Sequence, residues 1–379
     1  MNILINAISA RLGGGQTYLV NLLTRIPSDE GLKVFLLAPE SLEIVDISAK
    51  VTRLDVPKSL VKSLIWRSLW EKYTLPSILK ENQIDILFCP GGSLNGNYSH
   101  LCKTAVTFQN MLPFDVIQVR KYGFSFSRLR NIILKSRLLK SMKKADLVIF
   151  ISEHARTVIQ GLLKREITNT TLIPHGADPI FRRVAGTTLA QPEWLPNTGY
   201  LLYVSPLDVY KAQLEVLRGY SLLKNMELKV PKLVLVGTPL NKSYTHKVMK
   251  LINKLDLHND IILKGHLEYQ SLPAVYQNAS INIFASETEN CPFILLEALS
   301  SGRPLLSSNR PPMPEFAGDA ALYFDPSDPH QLAEKLHEML ADKVMLEKLS
   351  QLSLEKSFQY DWSMCAKKTW DSLISLGST

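Results

Sequence analysis

Two glutamates in the C-terminal third of the chain have a spacing that suits ligand binding. Glu289 and Glu297 lie in residues 286–302, which have the pattern of a strand end, a tight loop and a helix. Glu297 falls among apolar residues, where a carboxylate is costly to bury without partners. The helix start beside Glu289 offers N–H groups and partial positive charge, which suit phosphate. The segment indicates either a phosphate-and-sugar site or a capping acid beside an unrelated surface glutamate.

The spacings typical of metal and disulfide sites are missing from the sequence. The four cysteines (Cys89, Cys102, Cys291 and Cys365) form no CxxC pair, the eight histidines form no HxxxH or HExxH, and no Asp-x-Asp occurs. Scattered cysteines are typical of a reducing cytoplasm. The chain starts at once with a strand pattern, without the features of a signal peptide, and no apolar run approaches the roughly 20 residues of a membrane span. We therefore expect a cytoplasmic protein without a dedicated metal site.

Basic residues are concentrated in the first half of the chain. Residues 1–178 carry 23 Lys and Arg against 14 Asp and Glu, whereas residues 179–379 carry 20 against 21. Residues 116–145 contain no acid, and apolar residues are interleaved with nine basic ones: Arg120, Lys121, Arg128, Arg130, Lys135, Arg137, Lys140, Lys143 and Lys144. This stretch suits an anionic membrane surface, with a solvated helix face as the ordinary alternative. Nucleic acid is not expected as a partner, because no nucleic-acid-binding module is recognisable.

Short apolar strands alternate with helices in both halves, as in parallel sheets covered on both faces. In the first half, strands are predicted at 2–8, 34–38, 85–89, 104–108, 147–151 and 172–174, with helices at 16–26, 63–82 and 155–163. In the second half, strands are predicted at 201–205, 232–236, 261–263, 281–285 and 304–307, with helices at 213–223, 244–255, 272–278 and before Gly302. We therefore expect the fold class to be α/β, with two Rossmann-like parallel-sheet domains facing a cleft.

A segment rich in proline and glycine separates the two halves. We predict an N-terminal Rossmann-like domain at 1–178, a linker at 179–199, a C-terminal Rossmann-like domain at 200–357 and a terminal helix at 358–379. The aromatic residues of the terminal helix favour packing back toward the N-terminal domain. Ligands of parallel sheets bind outside the carboxyl ends of the strands. The glycine run 13–15 follows the first strand and either admits a ligand close to the backbone or forms an ordinary turn.

Several motifs, taken in chain order, resemble those of the retaining GT-B glycosyltransferases of family 4. They are Gly13-Gly14 after the first strand, the strand at 146–152, the hinge sequence at 173–178 with Phe181, Lys211, the turn Lys264-Gly265-His266, the E-x7-E pair Glu289 and Glu297, the segment 318–326 and the region of Trp362. The resemblance extends over nearly the whole chain. It implies that the first domain binds the acceptor and the second the nucleotide-sugar donor.

The resemblance also implies roles for the matching residues. Glu289 and Lys211 are the expected catalytic residues: Glu289 orients the donor sugar, and Lys211 stabilises the leaving diphosphate. Glu297 is expected to accept hydrogen bonds from the ribose diol, and the N–H groups of Phe293 and Ile294 to meet the diphosphate. The expected donor site comprises Gly14, Gly15, Ser205, Lys211, Gly237, Lys264, Gly265, His266, Glu289, Pro292, Phe293, Ile294 and Glu297. No cofactor and no metal ion are expected, because the lysine supplies the positive charge.

Two further groups of residues complete the expected site. Gln109 and Asn110 occupy the acceptor-side sugar loop. The residues expected to face a membrane are Arg120, Lys121, Arg128, Arg130, Lys135 and Arg137.

The chain departs from the family pattern in three places. Pro206 stands where the family usually has an arginine, five residues before the lysine, so one counter-charge for phosphate is missing or comes from elsewhere. Gln109 stands where the family often has a histidine, and its amide can still donate to a sugar oxygen or accept from a hydroxyl. Asn290-Cys291-Pro292 replaces the usual Gly-Phe-Gly after the first glutamate.

The resemblance implies a retaining, metal-independent glycosyltransferase that moves a sugar from a nucleotide-diphosphate sugar to a glycan or lipid-linked glycan. Synthesis of bacterial-type surface polysaccharide, O-antigen, lipopolysaccharide or glycolipid would be its setting, with peripheral attachment to the cytoplasmic face of the inner membrane. A nucleotide-sugar epimerase of the same fold and a non-catalytic, glycosyltransferase-like binding subunit are the alternatives.

Overall fold

The structure, a computed structural model, describes residues 1–10, 13–40, 42, 50–163, 167, 169–184, 186–187, 189–226 and 229–378. The chain divides into two compact units. Unit 1 comprises Met1–Phe114, Ser125–Gly176 and Trp362–Thr379, and unit 2 comprises Asp115–Phe124 and Ala177–Asp361. Residues 115–124, which the sequence analysis assigned to the first domain, therefore pack with the second unit.

Unit 1 is built on a parallel sheet of seven strands in the order β3-β2-β1-β4-β5-β6-β7. Its strands are β1 Asn2–Asn6, β2 Lys33–Leu37, β3 Val51–Arg53, β4 Ile86–Cys89, β5 Lys103–Phe108, β6 Leu147–Phe150 and β7 Thr170–Leu172. Its helices are α1 Gly14–Leu23, α2 Lys58–Lys62, α3 Leu64–Tyr73, α4 Leu75–Glu81, α6 Phe126–Lys144, α7 Glu153–Leu163 and α15 Trp362–Gly377, with a 3-10 turn at Leu112–Phe114. The residues of β1 and β4 are almost fully buried, as expected for central strands covered on both faces.

Unit 2 has a parallel sheet of six strands in the order β10-β9-β8-β11-β12-β13. Its strands are β8 Tyr200–Val204, β9 Lys232–Val236, β10 Ile261–Gly265, β11 Ile281–Phe284, β12 Leu305–Ser308 and β13 Ala321–Phe324. Its helices are α5 Val116–Lys121, α8 Gln213–Met226, α9 Lys242–Lys254, α10 Leu272–Gln277, α11 Phe293–Ser300, α12 Met313–Ala317, α13 Pro329–Ala341 and α14 Lys343–Ser357; 3-10 turns lie at Pro179–Phe181, Val209–Lys211, Tyr269–Ser271 and Gly318–Ala320. The predicted α/β class with two Rossmann-like parallel sheets is confirmed.

The structure differs from the predicted elements mainly where the apolar pattern is short or interrupted. The helix predicted at 63–82 is two helices, because Pro76 in the first turn of α4 has no N–H with which to continue the preceding helix. Strand β3 was not predicted, since its three residues are partly or fully exposed and form no apolar run. Strand β13 was also missed. No helix in the described ranges combines the length and apolar character needed to cross a bilayer.

The last helix packs against the first helix within unit 1. The Trp370 side chain is fully buried, and its Nε1 donates a hydrogen bond of 3.1 Å to the backbone oxygen of Leu22 in α1. The rings of Tyr18 and Trp362 lie 6.3 Å apart, and His175 lies between 5.0 and 5.5 Å from both. The C-terminal helix α15 thus packs against the first helix, α1.

Candidate active site

The candidate site of unit 2 lies where the order of its strands reverses. Strands β8 and β11 are neighbours at this point, and the chain leaves them in opposite lateral directions. Crevices outside the carboxyl ends of parallel strands at such a switch point are the usual ligand sites of open α/β sheets. The loop after β8 carries Ser205 and Lys211, and the loop after β11 carries Glu289 and Pro292.

The structure brings the two predicted catalytic residues into direct contact. Lys211 ends the 3-10 turn Val209–Lys211, and its Nζ forms an ion pair with Oε1 of Glu289. The side chains are only 5% and 15% exposed, so each charge compensates the other in a poorly solvated place. The backbone oxygen of Lys211 accepts a 2.7 Å hydrogen bond from the Tyr203 hydroxyl, which holds the turn onto strand β8.

Glu297 lies on helix α11, about one turn after the first residue of the helix. Glu297 is 7% exposed, and its Oε2 accepts a hydrogen bond of 3.3 Å from the Tyr276 hydroxyl. Burial raises the pKa of Glu297 to about 7, although the hydrogen bonds from Tyr276 and Tyr269 act in the opposite direction. The helix begins at Phe293 after Pro292, whose side chain has no acceptor with which to cap the first N–H groups. A carboxylate and a helix start thus lie within two turns of each other.

The remaining predicted donor residues of unit 2 lie at the ends of neighbouring strands. Gly237 after β9 donates its N–H to the oxygen of Gly265 at the end of β10, at 2.8 Å. A Cβ at Gly237 would lie 2.0 Å from the backbone oxygen of Ser205, so only glycine allows this approach. The His266 ring nitrogen Nδ1 lies 3.4 Å from Oγ1 of Thr238. The Lys264 ammonium lies 4.7 Å from the centre of the Trp194 ring.

The side chain of Gln213 lies beside Pro206, the position where the family usually has an arginine. Nε2 of Gln213 donates to the backbone oxygen of Pro206 at 2.9 Å and to Oγ of Ser205 at 3.3 Å. Gln213 is 1% exposed and lies at the start of helix α8. The polar partner at this point is an uncharged amide.

Sequence reasoning missed two residues beside the pair, Glu287 and Tyr210. The Glu287 side chain is 7% exposed, and its Oε2 lies 2.5 Å from Nζ of Lys121 in helix α5. The Glu287 N–H donates to the backbone oxygen of Tyr210 at 2.8 Å, and the Lys211 ammonium lies 4.8 Å from the Tyr210 ring centre. The signal available in the sequence was Glu287, an acid two residues before Glu289, together with the basic stretch at 116–145, which could supply its partner.

The predicted residues of the glycine run and of the acceptor-side loop lie in unit 1. Gly14 and Gly15 open helix α1, which starts two residues earlier than predicted, after Gly13 with a φ of 65°. Gln109 and Asn110 follow strand β5, and Oδ1 of Asn110 accepts from the N–H of Leu112 at 3.2 Å.

The six basic residues expected at a membrane divide between the two units. Arg120 and Lys121 belong to α5 in unit 2, and Lys121 is engaged by Glu287. The other four lie on helix α6 of unit 1: Arg128, Arg130, Lys135 and Arg137. Arg137 hydrogen-bonds Oγ of Ser68 and, at 2.5 Å, Oδ1 of Asn95. The Lys135 ammonium lies 5.7 Å from the Phe114 ring. Arg130 is exposed and Arg128 is half-buried.

Among the described residues, no group of three or more histidine, cysteine, aspartate and glutamate side chains is placed to hold a metal ion. The titratable residues that influence the pKa of Glu297 are Tyr276, Tyr269 and Asp178.

Each half of the chain matches a known glycosyltransferase family model. The model of the glycosyl transferases group 1 matches residues 188–355, and that of Glycosyltransferase Family 4 matches residues 12–181. O-antigen chain mannosyltransferase B of Escherichia coli is 27% identical over 241 residues, which cover 62% of this chain and 62% of that protein. The match thus leaves more than a third of this relative's length outside it.

Solved structures of similar proteins share the fold over the full chain length. Sucrose-phosphate synthase from Thermosynechococcus elongatus aligns with a TM-score of 0.76 at 16% identity, covering 100% of this chain and 99% of that one. Anabaena Alr3699/HepE, solved in complex with UDP, aligns with a TM-score of 0.70 at 15% identity, covering 99% and 100%. With the two family matches and the paired parallel sheets, the chain belongs to the group 1 and family 4 glycosyltransferases of the GT-B fold.

Proposed function

We propose that the chain is a retaining, metal-independent hexosyltransferase that uses a nucleotide-diphosphate sugar as donor. The observation that carries this proposal is the pair of Lys211 and Glu289 at the switch point of unit 2, in loops next to the start of helix α11, with buried Glu297 about one turn into that helix. It combines a cation and helix N–H groups for a diphosphate with two carboxylates for hydroxyl groups. The HepE complex with UDP supports a nucleotide donor.

In the proposed reaction, Glu297 accepts hydrogen bonds from the ribose hydroxyls and the start of α11 contacts the diphosphate. Donor binding separates the Lys211–Glu289 pair: Lys211 turns to the diphosphate and Glu289 to the hydroxyls of the transferred sugar. The acceptor oxygen bonds the anomeric carbon while the bond from that carbon to the donor phosphate oxygen breaks. The acceptor proton passes to an oxygen of the leaving diphosphate. Lys211 stabilises the charge that develops there, a type of interaction that commonly supplies a large part of catalysis.

The site assignment is tested by Lys211→Ala and Glu289→Ala. Each is expected to lower kcat/KM for transfer by about 10²–10³-fold, the usual loss for a group that stabilises developing charge. Lys224→Ala is the matched control, because Lys224 also forms an ion pair, with Asp260, but away from the switch point. Wild-type rates in both site variants would remove the assignment.

Four further measurements test the stereochemistry, the metal independence and the two alternative functions. The anomeric configuration of the product, read by NMR, decides between retention and inversion. Transfer in excess EDTA should equal transfer with added Mg²⁺ if no metal takes part. Incubation of the donor alone tests the epimerase alternative, which would convert the donor sugar without an acceptor. Nucleotide binding with no turnover would favour a binding subunit.

For the acceptor, we propose a glycan or lipid-linked glycan of a surface polysaccharide such as O-antigen. The resemblance to an O-antigen chain mannosyltransferase over 62% of this chain supports this class. Cell fractions from a strain carrying undecaprenyl-linked glycans, supplied with radiolabelled nucleotide sugars, would provide the assay. Transfer of label only to water-soluble glycans would contradict a lipid-linked acceptor.

We also propose that unit 1 binds the anionic face of a membrane from the cytoplasm. Helices α3 and α6 are joined through the hydrogen bond from Arg137 to Ser68. Both expose large apolar side chains beside basic ones: Ile65, Trp66, Leu69 and Tyr73 on α3, and Phe126, Leu129, Ile132 and Ile133 on α6. Each basic residue near an anionic surface contributes about 1 kcal/mol of attraction.

Vesicle flotation tests this surface. We expect recovery with vesicles containing phosphatidylglycerol, and lower recovery of the Arg128→Glu/Arg130→Glu variant or in high salt. Lys247→Glu/Lys250→Glu, two exposed positions on helix α9 of unit 2, is the control with the same change of charge. Equal recovery with neutral and anionic vesicles would contradict electrostatic binding.

A further inference from the structure

The two loops at the switch point of unit 2 carry more acids than bases. The loops at 205–212 and 285–292 contain three acids and one base: Asp208, Glu287, Glu289 and Lys211. The polar neighbour of Pro206 in the first loop is the uncharged amide of Gln213, which adds no positive charge. A ligand as anionic as a diphosphate would therefore meet an excess of negative charge unless a further cation reaches these loops.

A second cation comes from helix α5. Residues 115–124 pack with unit 2, and α5 lies against the 3-10 turn Val209–Lys211. Lys121 stands in the last turn of this helix, and its Nζ lies 2.5 Å from Oε2 of Glu287. The Glu287 carboxylate is nearly buried, whereas the Lys121 side chain keeps part of its surface in solvent. Lys121 thus compensates one acid of the switch-point loops from outside them.

The backbone of Glu287 connects the two loops beside the pair of Lys211 and Glu289. Its N–H donates a 2.8 Å hydrogen bond to the backbone oxygen of Tyr210, the residue before Lys211. Glu289 follows two residues later, so the Cα atoms of the two glutamates are at most about 7 Å apart. At such separations an unpaired charge in a poorly solvated place changes the affinity for an anion about 10-fold or more. The charge of Glu287 therefore bears on any anion that Lys211 contacts.

The two acids of the loop after β11 each have a lysine of their own. Glu287 pairs with Lys121, and Glu289 pairs with Lys211. In the proposed reaction Lys211 turns to the diphosphate and its pair with Glu289 opens. Lys121 takes no part in that exchange and stays with Glu287. Without Lys121, the nearly buried carboxylate of Glu287 would be left unpaired and would repel the diphosphate.

We propose that Lys121 neutralises Glu287 and thereby allows the diphosphate of the donor to bind at the switch point of unit 2. Lys121 acts through Glu287, which it keeps paired, and does not touch the donor. The inference rests on the proposed transferase function for the identity of the ligand, and on the ion pair and the loop geometry for the role of Lys121. One residue of the basic stretch at 116–145 thus serves donor binding rather than a membrane surface.

Calorimetry of UDP, GDP and ADP binding to Lys121→Met tests this role without need of activity. For the nucleotide that binds the wild type, the dissociation constant should rise about 10-fold or more, because the charge of Glu287 is left unpaired. Lys121→Arg keeps the positive charge and should bind nearly as the wild type does. The matched control is Lys224→Met: Lys224 pairs with Asp260 at similar exposure, but Asp260 directly precedes β10, at the amino ends of the strands. This control should leave the dissociation constant unchanged.

Variants of Glu287 separate neutralisation from a mechanical role of the ion pair. Glu287→Gln should bind the nucleotide as tightly as the wild type or more tightly, since the acid is removed and the lysine remains. The double variant Lys121→Met/Glu287→Gln should regain most of the affinity lost in Lys121→Met. An equal loss in Glu287→Gln and Lys121→Met would mean that the ion pair itself holds the loop, and would overturn the inference. A double variant as weak as Lys121→Met would also overturn it, because Lys121 would then contact the diphosphate directly.

The calorimetric stoichiometry guards against a loss that comes from unfolding. Calorimetry reports the dissociation constant of the folded molecules, so a merely destabilised variant would bind with fewer sites at an unchanged dissociation constant. That result for Lys121→Met would mean that Lys121 only stabilises the fold, and the inference would be wrong. The expected result is full stoichiometry with weaker binding.

The measurements distinguish failure of this inference from failure of the proposed function. A wild type that binds none of the three nucleotides and transfers no sugar would contradict the proposed function, and the role of Lys121 with it. A wild type that binds a nucleotide and transfers sugar, with a Lys121→Met variant that binds the same nucleotide equally well, would keep the transferase and overturn only the role of Lys121.

Discussion

Glu297 shows how a single buried acid relates stability to function. The sequence placed a carboxylate on an apolar helix, and in the structure it is buried against the Tyr276 hydroxyl with its pKa raised to about 7. An acid whose folded pKa lies above its ordinary value of 4.5 stabilises the fold below pH 4.5 and loses this contribution as the pH rises through 7. The chain thus keeps at neutral pH a group that costs stability, as functional sites commonly do.

We predict that Glu297→Gln changes stability and donor binding in opposite directions. Over the window from pH 4.5 to 7, the wild type should lose about 3 kcal/mol of unfolding free energy relative to the variant, at about 1.4 kcal/mol per pKa unit. Nucleotide affinity should fall, because an amide accepts fewer hydrogen bonds from a diol than a carboxylate does. Urea unfolding at pH 5 and pH 8, with calorimetry of UDP and GDP, measures both. If the unfolding free energy changed equally between pH 5 and pH 8 in the wild type and in Glu297→Gln, the raised pKa of Glu297 would be contradicted.

His175 is a buried base for which the same reasoning has the opposite sign. Burial lowers its pKa from 6.5 to about 3, so the folded chain keeps it neutral while the unfolded chain protonates it below pH 6.5. Stability should therefore fall as the pH drops from 6.5 toward 3. From pH 6.5 to pH 5 the wild type should lose about 2 kcal/mol more than His175→Phe. Urea unfolding at these two pH values tests this, and equal losses would mean that His175 is protonated in the folded state.

Helix α5 supplies an ion-pair partner to the loop after strand β11, which its own sequence pattern did not predict. It comes from a stretch whose basic and apolar residues predicted a surface helix, but Lys121 reaches Glu287 in the loop that also carries Glu289. The Asp115 side chain caps the helix by accepting from the N–H of Gln118. An ion pair across 166 residues cannot be read from local charge patterning, since the partner is chosen by the fold.

We predict that Lys121→Ala destabilises unit 2 by about 1–3 kcal/mol. Removal of a partner from a buried pair costs about 3–5 kcal/mol, and the exposure of 39% at Lys121 reduces the effect here. The double variant Lys121→Ala/Glu287→Gln should recover most of the loss, because no unpaired charge remains buried. Urea unfolding of Lys121→Ala, Glu287→Gln and the double variant gives the coupling energy.

The control for this pair is Lys58→Ala, because Lys58 and Glu40 form a pair with exposures of 80% and 70%. This variant should change stability by less than about 0.5 kcal/mol. Losses of equal size at Lys58 and Lys121 would show that burial of Glu287 does not matter.

Sequence patterns predicted most elements of the fold, and the misses have physical reasons. Central strands such as β4 and β11 are uninterrupted apolar runs because both faces are covered. Strand β3 has no such run, and Pro76 divides a helix whose apolar spacing continues past it. For the site, the spacing of Glu289 and Glu297 predicted their importance, but Glu287, two residues before Glu289, was missed. Arg67 and Glu71 are buried on helix α3, in a stretch whose helical spacing predicted only apolar packing.

At the scale of the whole molecule, the two sheets repeat one plan with different charges at the switch point. In unit 2 this place holds the buried ion pair of Lys211 and Glu289, whereas in unit 1 it holds Asn6 and the buried side chains of Arg67 and Glu71. The two-domain fold class and the family could be inferred from the sequence because motifs are distributed along the full chain. The return of the last helix to the first could only be suggested by the aromatic residues near the end.

The return of the chain to unit 1 leads to a prediction about its folding. Trp370 of α15 is fully buried and donates to the backbone oxygen of Leu22 in α1, so the last residues complete the core formed by the first. Trp370→Ala should lower the unfolding free energy of unit 1 by about 3–5 kcal/mol, the usual cost of truncating a buried tryptophan. Trp370→Phe should cost less, because the ring still fills most of the space while the hydrogen bond is lost.

Trp66 provides the matched control for this prediction, since it lies in the same unit with 63% of its surface exposed. Trp66→Ala should unfold within about 0.5 kcal/mol of the wild type. Hydrogen exchange of the backbone amides in β1 and β4 reports on unit 1 separately from unit 2. Faster exchange in Trp370→Ala at these strands, with unchanged exchange in β8 and β11, is the expected result. An equal effect on both sheets, or on neither, would mean that α15 does not stabilise unit 1 specifically, because its largest buried side chain would then contribute no more there than elsewhere.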